Sequence, residues 1–174
     1  MPSSSDDLSQ QVIQEFQHLL TQSLHKIRHC LSQLNEDQIW WRPTSELNSI
    51  GNLILHLCGN LNQWAVAGIT GASDERQRES EFQADRSHHR DELLSLLEQN
   101  VQRASEVMQS LSADDLLEPR TIQGFSVSVL GALTHTVPHF VGHTHQIIYL
   151  TRQQRGEAYQ FDWAPDARRH GVPI

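Results

Sequence analysis

The segment of residues 126–150 reads SVSVLGALTHTVPHFVGHTHQIIYL. Its apolar side chains recur at helical spacing and predict one amphipathic helix: Leu130, Leu133, Val137, Phe140, Val141, Ile147 and Ile148. Ser126 is placed to cap this helix, because a serine hydroxyl accepts a hydrogen bond from a free amide of the first turn. Pro138 lies inside the helix and has no amide hydrogen to donate to Thr134, so we expect a kink there.

The rest of the chain supplies three more amphipathic helices. Apolar side chains at helical spacing predict them over residues 8–34, about 50–68 and about 90–111. Asn48 or Ser49 is a plausible N-cap of the second helix, and Pro43 favours a connector before it. A polar loop, residues 70–88, follows, and a loop of this length is often functional or mobile. No segment alternates with a period of two, so no strands are expected, and an all-α four-helix bundle is the simplest way to bury four apolar stripes.

Length and composition are typical of one globular domain. We interpret residues 1–174 as a single domain, with residues 1–7 as a polar N-terminal tail and residues 155–174 as a C-terminal extension. In that extension Trp163 and Pro165 indicate an extended segment packed on the domain. The net charge of −8 and the lack of a basic cluster argue against nucleic-acid binding, which needs a basic face.

The cysteines and the hydropathy indicate a location. Cys30 and Cys58 lack the spacing of a Cys-rich zinc site or a disulfide scaffold, which favours a reducing cytoplasm. No apolar run approaches the roughly 20 residues that span a bilayer, so no membrane partner is expected. Cys58 lies about 160° from His56 around the second helix, and we interpret it as a small packing residue.

The unusual feature of the composition is its 11 histidines. Neutral imidazole is a good ligand for zinc, nickel or iron, and two histidines four residues apart on a helix can reach one ion. Three pairs have this spacing: His25/His29, His135/His139 and His139/His143. The spacing alone does not choose among them, because such pairs also arise by chance.

Helical phase separates the histidines of the first helix and the loop from the others. His18, His25 and His29 fall nearly opposite the apolar stripe of their helix, so they are expected to face solvent. His88 and His89 are adjacent in the polar loop and are also expected to be solvated. His145 points away from the His139/His143 pair, and His170 lies in the C-terminal extension.

The same phase argument favours one site between two helices. In the fourth helix His143 lies about 80° and His139 about 120° from the centre of the apolar stripe, whereas His135 lies about 160° away. In the second helix His56 lies about 110° from the stripe centre. Flank positions on two helices can meet in a groove, so His56, His139 and His143 are the candidate ligands of one divalent metal. The alternative is that they are ordinary surface or groove histidines with polar partners.

Two segments carry a resemblance to a known family. The stretch from Asn48 to Leu57, NSIGNLILHL, and the stretch from Pro138 to Ile148, PHFVGHTHQII, resemble the DinB-like superfamily of metalloenzymes, also called the YfiT-like group. In that superfamily a histidine late in the second helix joins an HxxxH pair of the fourth, with glutamine three residues after the pair. The likeness spans about residues 10–153, and the RESEF stretch, residues 78–82, resembles one uncharacterised branch.

The resemblance implies a fold, a cofactor and a range of reactions. The fold is an up-down-down-up four-helix bundle, often a homodimer, with a three-histidine site for zinc or nickel. Relatives transfer thiol cofactors, isomerise a maleylpyruvate-type thiol adduct or open related bonds, and many have no known reaction. Two residues depart from the family pattern: Pro138 directly precedes the first ligand of the fourth helix and is expected to kink the helix there, and His145 stands where relatives often carry glycine.

These observations leave competing functions open. The leading hypothesis is a metal-dependent enzyme that acts on a small molecule by thiol transfer or hydrolysis, with a possible thiol cosubstrate. The alternatives are a non-catalytic metal-binding or dimerisation module and a histidine-rich metal-storage protein. Asn60 and Gln146, each near one candidate ligand, could orient it, or they are ordinary polar residues of a helix flank. Trp64 lies in the apolar stripe and is expected in the core, and the sequence names no catalytic base.

Overall fold

The structure is a computed structural model, and it describes residues 4–162. The described chain forms helices that we label in chain order: α1 (Ser4–Ser32), α2 (Glu36–Trp40), α3 (Ile50–Leu61), α4 (Gly68–Thr70), α5 (Arg78–Gln83), α6 (Arg90–Gln109) and α7 (Val129–Arg155). A π-helical segment, Asn62–Ala67, joins α3 to α4, and strands β1 (Pro119–Ile122) and β2 (Phe125–Ser128) precede α7. The predictions for residues 1–3, Trp163, Pro165 and His170 lie outside the described residues.

The helix ends follow local capping. Helix α1 begins at Ser4, so part of the segment interpreted as a polar tail is helical. Helix α1 ends at Ser32, close to the predicted end at residue 34. Asn35 then caps the short helix α2 by accepting a hydrogen bond from the Gln38 amide at 2.9 Å. Ser49 caps α3 in the same way and accepts from the Asn52 amide at 3.1 Å.

Side-chain contacts fix the directions of α1 and α6. The Gln17 side chain on α1 donates to the Ser105 carbonyl on α6 at 2.9 Å. Further along α1, Arg28 forms a salt bridge with Glu98 at 2.5 Å. Glu98 lies earlier on α6 than Ser105. Because residue numbers rise on α1 as they fall on α6, the two helices are antiparallel.

Helices α3 and α7 are antiparallel by the same criterion. The rings of His56 on α3 and His139 on α7 are in contact, and one turn later Asn60 accepts a hydrogen bond from Thr136, which lies one turn earlier on α7. Gln154 near the end of α7 donates to the Gln38 carbonyl, just beyond the end of α1, so α1 and α7 run in the same direction. The predicted up-down-down-up order is confirmed.

The apolar stripes of the four long helices meet in one core. Helix α1 packs against α6 and α7, and α3 packs against the same two helices. Fully buried side chains from all four fill the centre: Leu20, Ile27, Leu31, Ile54, Leu57, Leu61, Leu97, Met108 and Phe140. Cys30 and Cys58 are both buried and free, and the burial of Cys58 agrees with its interpretation as a small packing residue. Over residues 4–162, no helix is both long and apolar enough to cross a membrane.

The expectation of no strands is wrong. Strands β1 and β2 form an antiparallel hairpin that pairs Pro119 with Ser128 and Ile122 with Phe125. Its two turn residues, Gln123 and Gly124, have φ of 51° and 82°, the positive pair that a two-residue type I′ turn requires. Each strand has only four residues, too few for an alternating pattern to stand out.

The hairpin also corrects the predicted start of the fourth helix. Ser126 lies within β2, where it pairs with Thr121, and it does not cap the helix. Ser128, at the end of β2, is the N-cap of α7, and its hydroxyl accepts from the Gly131 amide at 3.0 Å. Helix α7 then continues without interruption through Pro138.

The π-helical segment Asn62–Ala67 directly follows α3, the helix that carries His56. Its Trp64 is 4% exposed, as expected of a core residue, but it packs in a separate small cluster with Ile122 of the hairpin and Ala132 of α7. Gln63, beside it, is also buried. Such wide turns are often found beside functional sites, and this one lies next to the predicted ligands.

Candidate metal centre

The three predicted histidines come together between α3 and α7. One ring nitrogen from each of His56, His139 and His143 lies within 4.8 Å of the other two. The Nε2 atoms of His56 and His139 are 2.9 Å apart. The ring centroids of His56 and His143 are 5.0 Å apart, and those of His139 and His143 are 4.4 Å apart. Three imidazoles from two helices therefore face one point.

The donor set fits a single divalent cation. Nitrogen ligands of tetrahedral zinc lie about 2.0–2.1 Å from the metal, which places them roughly 3.3 Å from one another. The separations among these three rings are close enough that small side-chain rotations suffice. Two imidazole nitrogens at 2.9 Å also need a proton or a cation between them, because two lone pairs repel.

Burial keeps two of these imidazoles in the form that binds a metal. His139 and His143 are partly buried and His56 is 5% exposed. Desolvation lowers the pKa of His139 to about 4, and the neighbouring charges of His143 and His56 add to this effect. Desolvation also lowers the pKa of His143, and this effect is partly opposed by the hydrogen bond that the His143 ring donates to Gln146 Oε1. Both rings are therefore neutral at pH 7, and metal ligation requires neutral imidazole.

Gln146 contacts the site directly. Its Oε1 lies 2.8 Å from His143 Nδ1, so the protonated Nδ1 donates to the amide oxygen and Nε2 keeps its lone pair. Asn60 is 5% exposed, and its Oδ1 accepts from the Thr136 hydroxyl at 2.8 Å. This bond joins the two helices that carry the histidines, and the role of Asn60 in orienting a ligand stays a prediction.

Two residues of the site were missed by the sequence analysis, Glu81 and Arg76. His56 Nδ1 lies 3.0 Å from Glu81 Oε2 and 3.1 Å from Arg76 NH2, and in the tautomer with the proton on Nδ1 it donates to the carboxylate. Arg76 donates through Nε to Oε1 at 2.7 Å and through NH2 to Oε2 at 2.9 Å, so it binds both carboxylate oxygens. The side chains of Arg76 and Glu81 are only 4% and 10% exposed. The candidate ligand His56 of α3 thus lies against a buried ion pair.

Glu81 remains a carboxylate in this setting. Burial alone would raise its pKa, but the hydrogen bonds from Arg76 and His56 and the charge of Arg76 outweigh burial and lower the pKa below its usual value. An acceptor-only carboxylate fixes the proton of His56 on Nδ1. His56 Nε2 is then free to face His139 and His143.

Local structure explains how Glu81 reaches α3. Helix α5, which carries Glu81 in the RESEF stretch, packs directly against α3. Gly59 makes room, because a Cβ there would lie 2.0 Å from Glu81 Oε1 and 2.8 Å from Arg76 Nε. Phe82, the next residue, places its ring 4.9 Å from that of His56. The resemblance marked this stretch, but no helical period could place a loop residue beside His56.

The other histidines that the structure describes lie outside the three-ring cluster. His135 is exposed, as expected, and its ring packs on Trp64 at 4.0 Å and lies 6.0 Å from that of His139. His18 and His25 are exposed, as predicted for the solvent face of α1. His29 is half-buried, because its Nε2 contacts the Gln160 carbonyl at 2.7 Å.

The up-down-down-up order of the four long helices is that of the DinB-like fold. Two solved structures share this fold. A DinB-like protein from Bacillus cereus ATCC 10987 is 14% identical with a TM-score of 0.66, and the match covers 84% of this chain and 95% of that one. The DinB-like protein YjoA from Bacillus subtilis is 15% identical with a TM-score of 0.64, over 84% of this chain and 96% of that one.

The sequence itself identifies the family. Residues 7–166 match the family described as "Protein of unknown function (DUF1572)", and the chain belongs to that family. No curated protein matches the chain.

Proposed function

We propose that this protein binds one divalent metal ion, zinc or nickel, through His56, His139 and His143. The observation that carries the proposal is the convergence of three ring nitrogens, one from each histidine, within 4.8 Å of one another. Three histidine ligands leave a coordination position for water or substrate, which is the arrangement of catalytic rather than closed structural sites. We further propose that the centre acts on a small molecule, by thiol transfer or by hydrolysis.

The side chains around the centre support this chemistry. A metal held by neutral ligands keeps its positive charge, which stabilises a thiolate or a hydroxide at neutral pH. Gln146 and Glu81 hold the Nδ1 protons of His143 and His56, so both rings present Nε2 towards the centre. His139 and His143 are partly exposed, so a small molecule can approach from that side.

Metal analysis of untagged protein tests the binding site. We expect one ion per chain in the native protein and near-complete loss in His56→Ala, His139→Ala and His143→Ala. His145→Ala is the matched control, because His145 is exposed on the same helix. Retention of the metal by all three alanine variants at the native level contradicts the site.

A thiol titration separates the two reaction classes. Thiol transfer requires the metal to bind a thiolate, so 2-mercaptoethanol added to the Co²⁺-substituted protein is expected to produce a sulfur-to-cobalt charge-transfer band. The band is expected to be absent in His139→Ala. Its absence in the native protein favours hydrolysis. Metal binding with neither thiol ligation nor hydrolysis of model esters and amides favours the non-catalytic module.

We also propose that the protein is a cytoplasmic homodimer. Its free, buried Cys30 and Cys58 suit a reducing compartment. Light scattering at micromolar concentration checks the assembly: a mass of twice 19.9 kDa is expected, and a monomer contradicts the dimer.

A further inference from the structure

The buried pair of Glu81 and Arg76 is the strongest feature beside the three histidines. Burying a charge is costly unless it is paired and hydrogen-bonded, and here every Glu81 oxygen is used. Oε1 accepts from Arg76, and Oε2 accepts from both Arg76 and His56. A carboxylate so fully engaged is poorly suited to take a proton from a substrate.

Residues outside α5 also form hydrogen bonds with Arg76. Arg76 NH1 donates to Gln63 Oε1 at 2.8 Å, and Gln63 lies in the π-helical segment that follows α3. The Gln63 amide in turn bonds Asp74 in the loop and the Gln123 side chain at the hairpin turn. Asp74 is exposed and its charge is screened by solvent, so the buried charges beside His56 are one carboxylate and one guanidinium.

These contacts have two electrostatic consequences for a metal centre. A carboxylate behind a ligand histidine orients the ring and raises its basicity, which strengthens metal binding. An uncompensated carboxylate would also reduce the positive charge available to an anionic ligand of the metal. The bidentate guanidinium of Arg76 offsets that negative charge without releasing the carboxylate.

We propose that Glu81 and Arg76 are a neutral positioning pair: Glu81 orients His56 towards the metal, and Arg76 cancels its charge so that the open coordination position favours an anionic ligand. This inference rests on the proposed metal site. It assigns the two residues opposite electrostatic effects, and a purely structural pair would not have them.

Cobalt and azide titrations of charge-changing variants test the proposal. Removing the negative charge in Glu81→Gln is expected to weaken Co²⁺ binding about 10- to 100-fold and to strengthen azide binding to the Co²⁺ that remains bound. Removing the positive charge in Arg76→Gln is expected to leave Co²⁺ binding unchanged or tighter and to weaken azide binding. The visible spectrum of Co²⁺ reports both events.

Two further proteins control for folding and for net charge. The Glu81→Gln/Arg76→Gln double variant has no net charge at these two positions, as in the native protein, and is expected to bind azide with native affinity. This measurement tests the proposal even if one of the single variants does not fold. A change of more than about tenfold in its azide affinity overturns the proposal. The exposed pair of Arg28 and Glu98 supplies the matched control, and Glu98→Gln is expected to change neither titration.

The outcomes separate this inference from the proposed function. If the native protein binds no Co²⁺, both are overturned. The native protein could instead bind Co²⁺ while Glu81→Gln and Arg76→Gln weaken Co²⁺ binding equally and shift azide affinity in the same direction. That result overturns the positioning pair and leaves the proposed metal site standing.

Discussion

Replacement of Gly59 by alanine is the most direct test of the packing behind His56. Alanine is normally favourable inside a helix, by about 0.5–1 kcal/mol over glycine. At Gly59, however, the added Cβ would lie 2.0 Å from Glu81 Oε1 and 2.8 Å from Arg76 Nε. Glu81 cannot swing away freely, because Arg76 and His56 hold both of its oxygens.

The magnitude follows from what the displaced carboxylate loses. Overpacking of a buried position costs about 1–3 kcal/mol, and a hydrogen bond to a charged group contributes about 1.5–3 kcal/mol. Even if only part of one such bond is lost, the cost exceeds the gain in helix propensity. We therefore expect Gly59→Ala to lower the free energy of unfolding by about 1–3 kcal/mol, a fall in Tm of roughly 3–10 °C.

The assay is urea and thermal unfolding followed by circular dichroism, with Gly142→Ala as the matched control. Gly142 is exposed on α7, and no atom of a neighbouring residue within residues 4–162 lies within 4 Å of a Cβ placed there. That control is expected to be as stable as the native protein or more stable, by up to about 1 kcal/mol. Equal stability of the two alanine variants would refute the argument that Gly59 makes room for the buried ion pair.

Three smaller predictions follow from single contacts. Ser128→Ala is expected to cost about 0.5–2 kcal/mol in urea unfolding, because it removes the α7 cap, whereas Ser126→Ala is expected to stay within about 0.5 kcal/mol of native; the reverse order would contradict the observed cap. Burial, together with the charge of Glu81, raises the pKa of Cys58 to about 12, so its thiol is expected to resist iodoacetamide at pH 8 until urea is added. Because the pKa of Cys58 is higher in the folded state, the protonated thiol contributes to stability below its ordinary pKa of 9.0, and this contribution is lost as the pH rises towards 12. Rapid labelling of Cys58 in the folded protein would contradict its burial. Gln146→Ala is expected to weaken Co²⁺ binding about 10- to 100-fold by freeing the His143 ring, and native affinity in that variant would remove Gln146 from the site.

The parts of the fold that follow a period were predictable from sequence. The four long helices carry apolar stripes, and the stripes required a bundle. Helical phase brought His139 and His143 to the flank of α7 and left His135 on the exposed side, which the structure bears out. The prediction that His56 joins His139 and His143 required one further assumption, that the second and fourth long helices are neighbours.

The parts that depend on loop paths were not predictable. Glu81 comes from a short helix in the polar loop, and no periodic pattern shows that this loop folds back over Gly59. The hairpin was missed because its strands have four residues each, and the misplaced cap at Ser126 followed from that omission. Nothing in the residues of the Asn62–Ala67 segment distinguishes a π-helical turn from the α-helix it continues.

X-ray absorption at the zinc edge shows whether His56, His139 and His143 bind one metal ion together. For untagged protein loaded with one equivalent of Zn²⁺, we expect three imidazole nitrogens at about 2.0–2.1 Å plus one oxygen ligand. For His139→Ala, which is expected to retain almost no metal, we expect the spectrum of zinc without this three-imidazole shell. A spectrum with fewer than three imidazoles in the native protein, or one that His139→Ala leaves unchanged, contradicts the account.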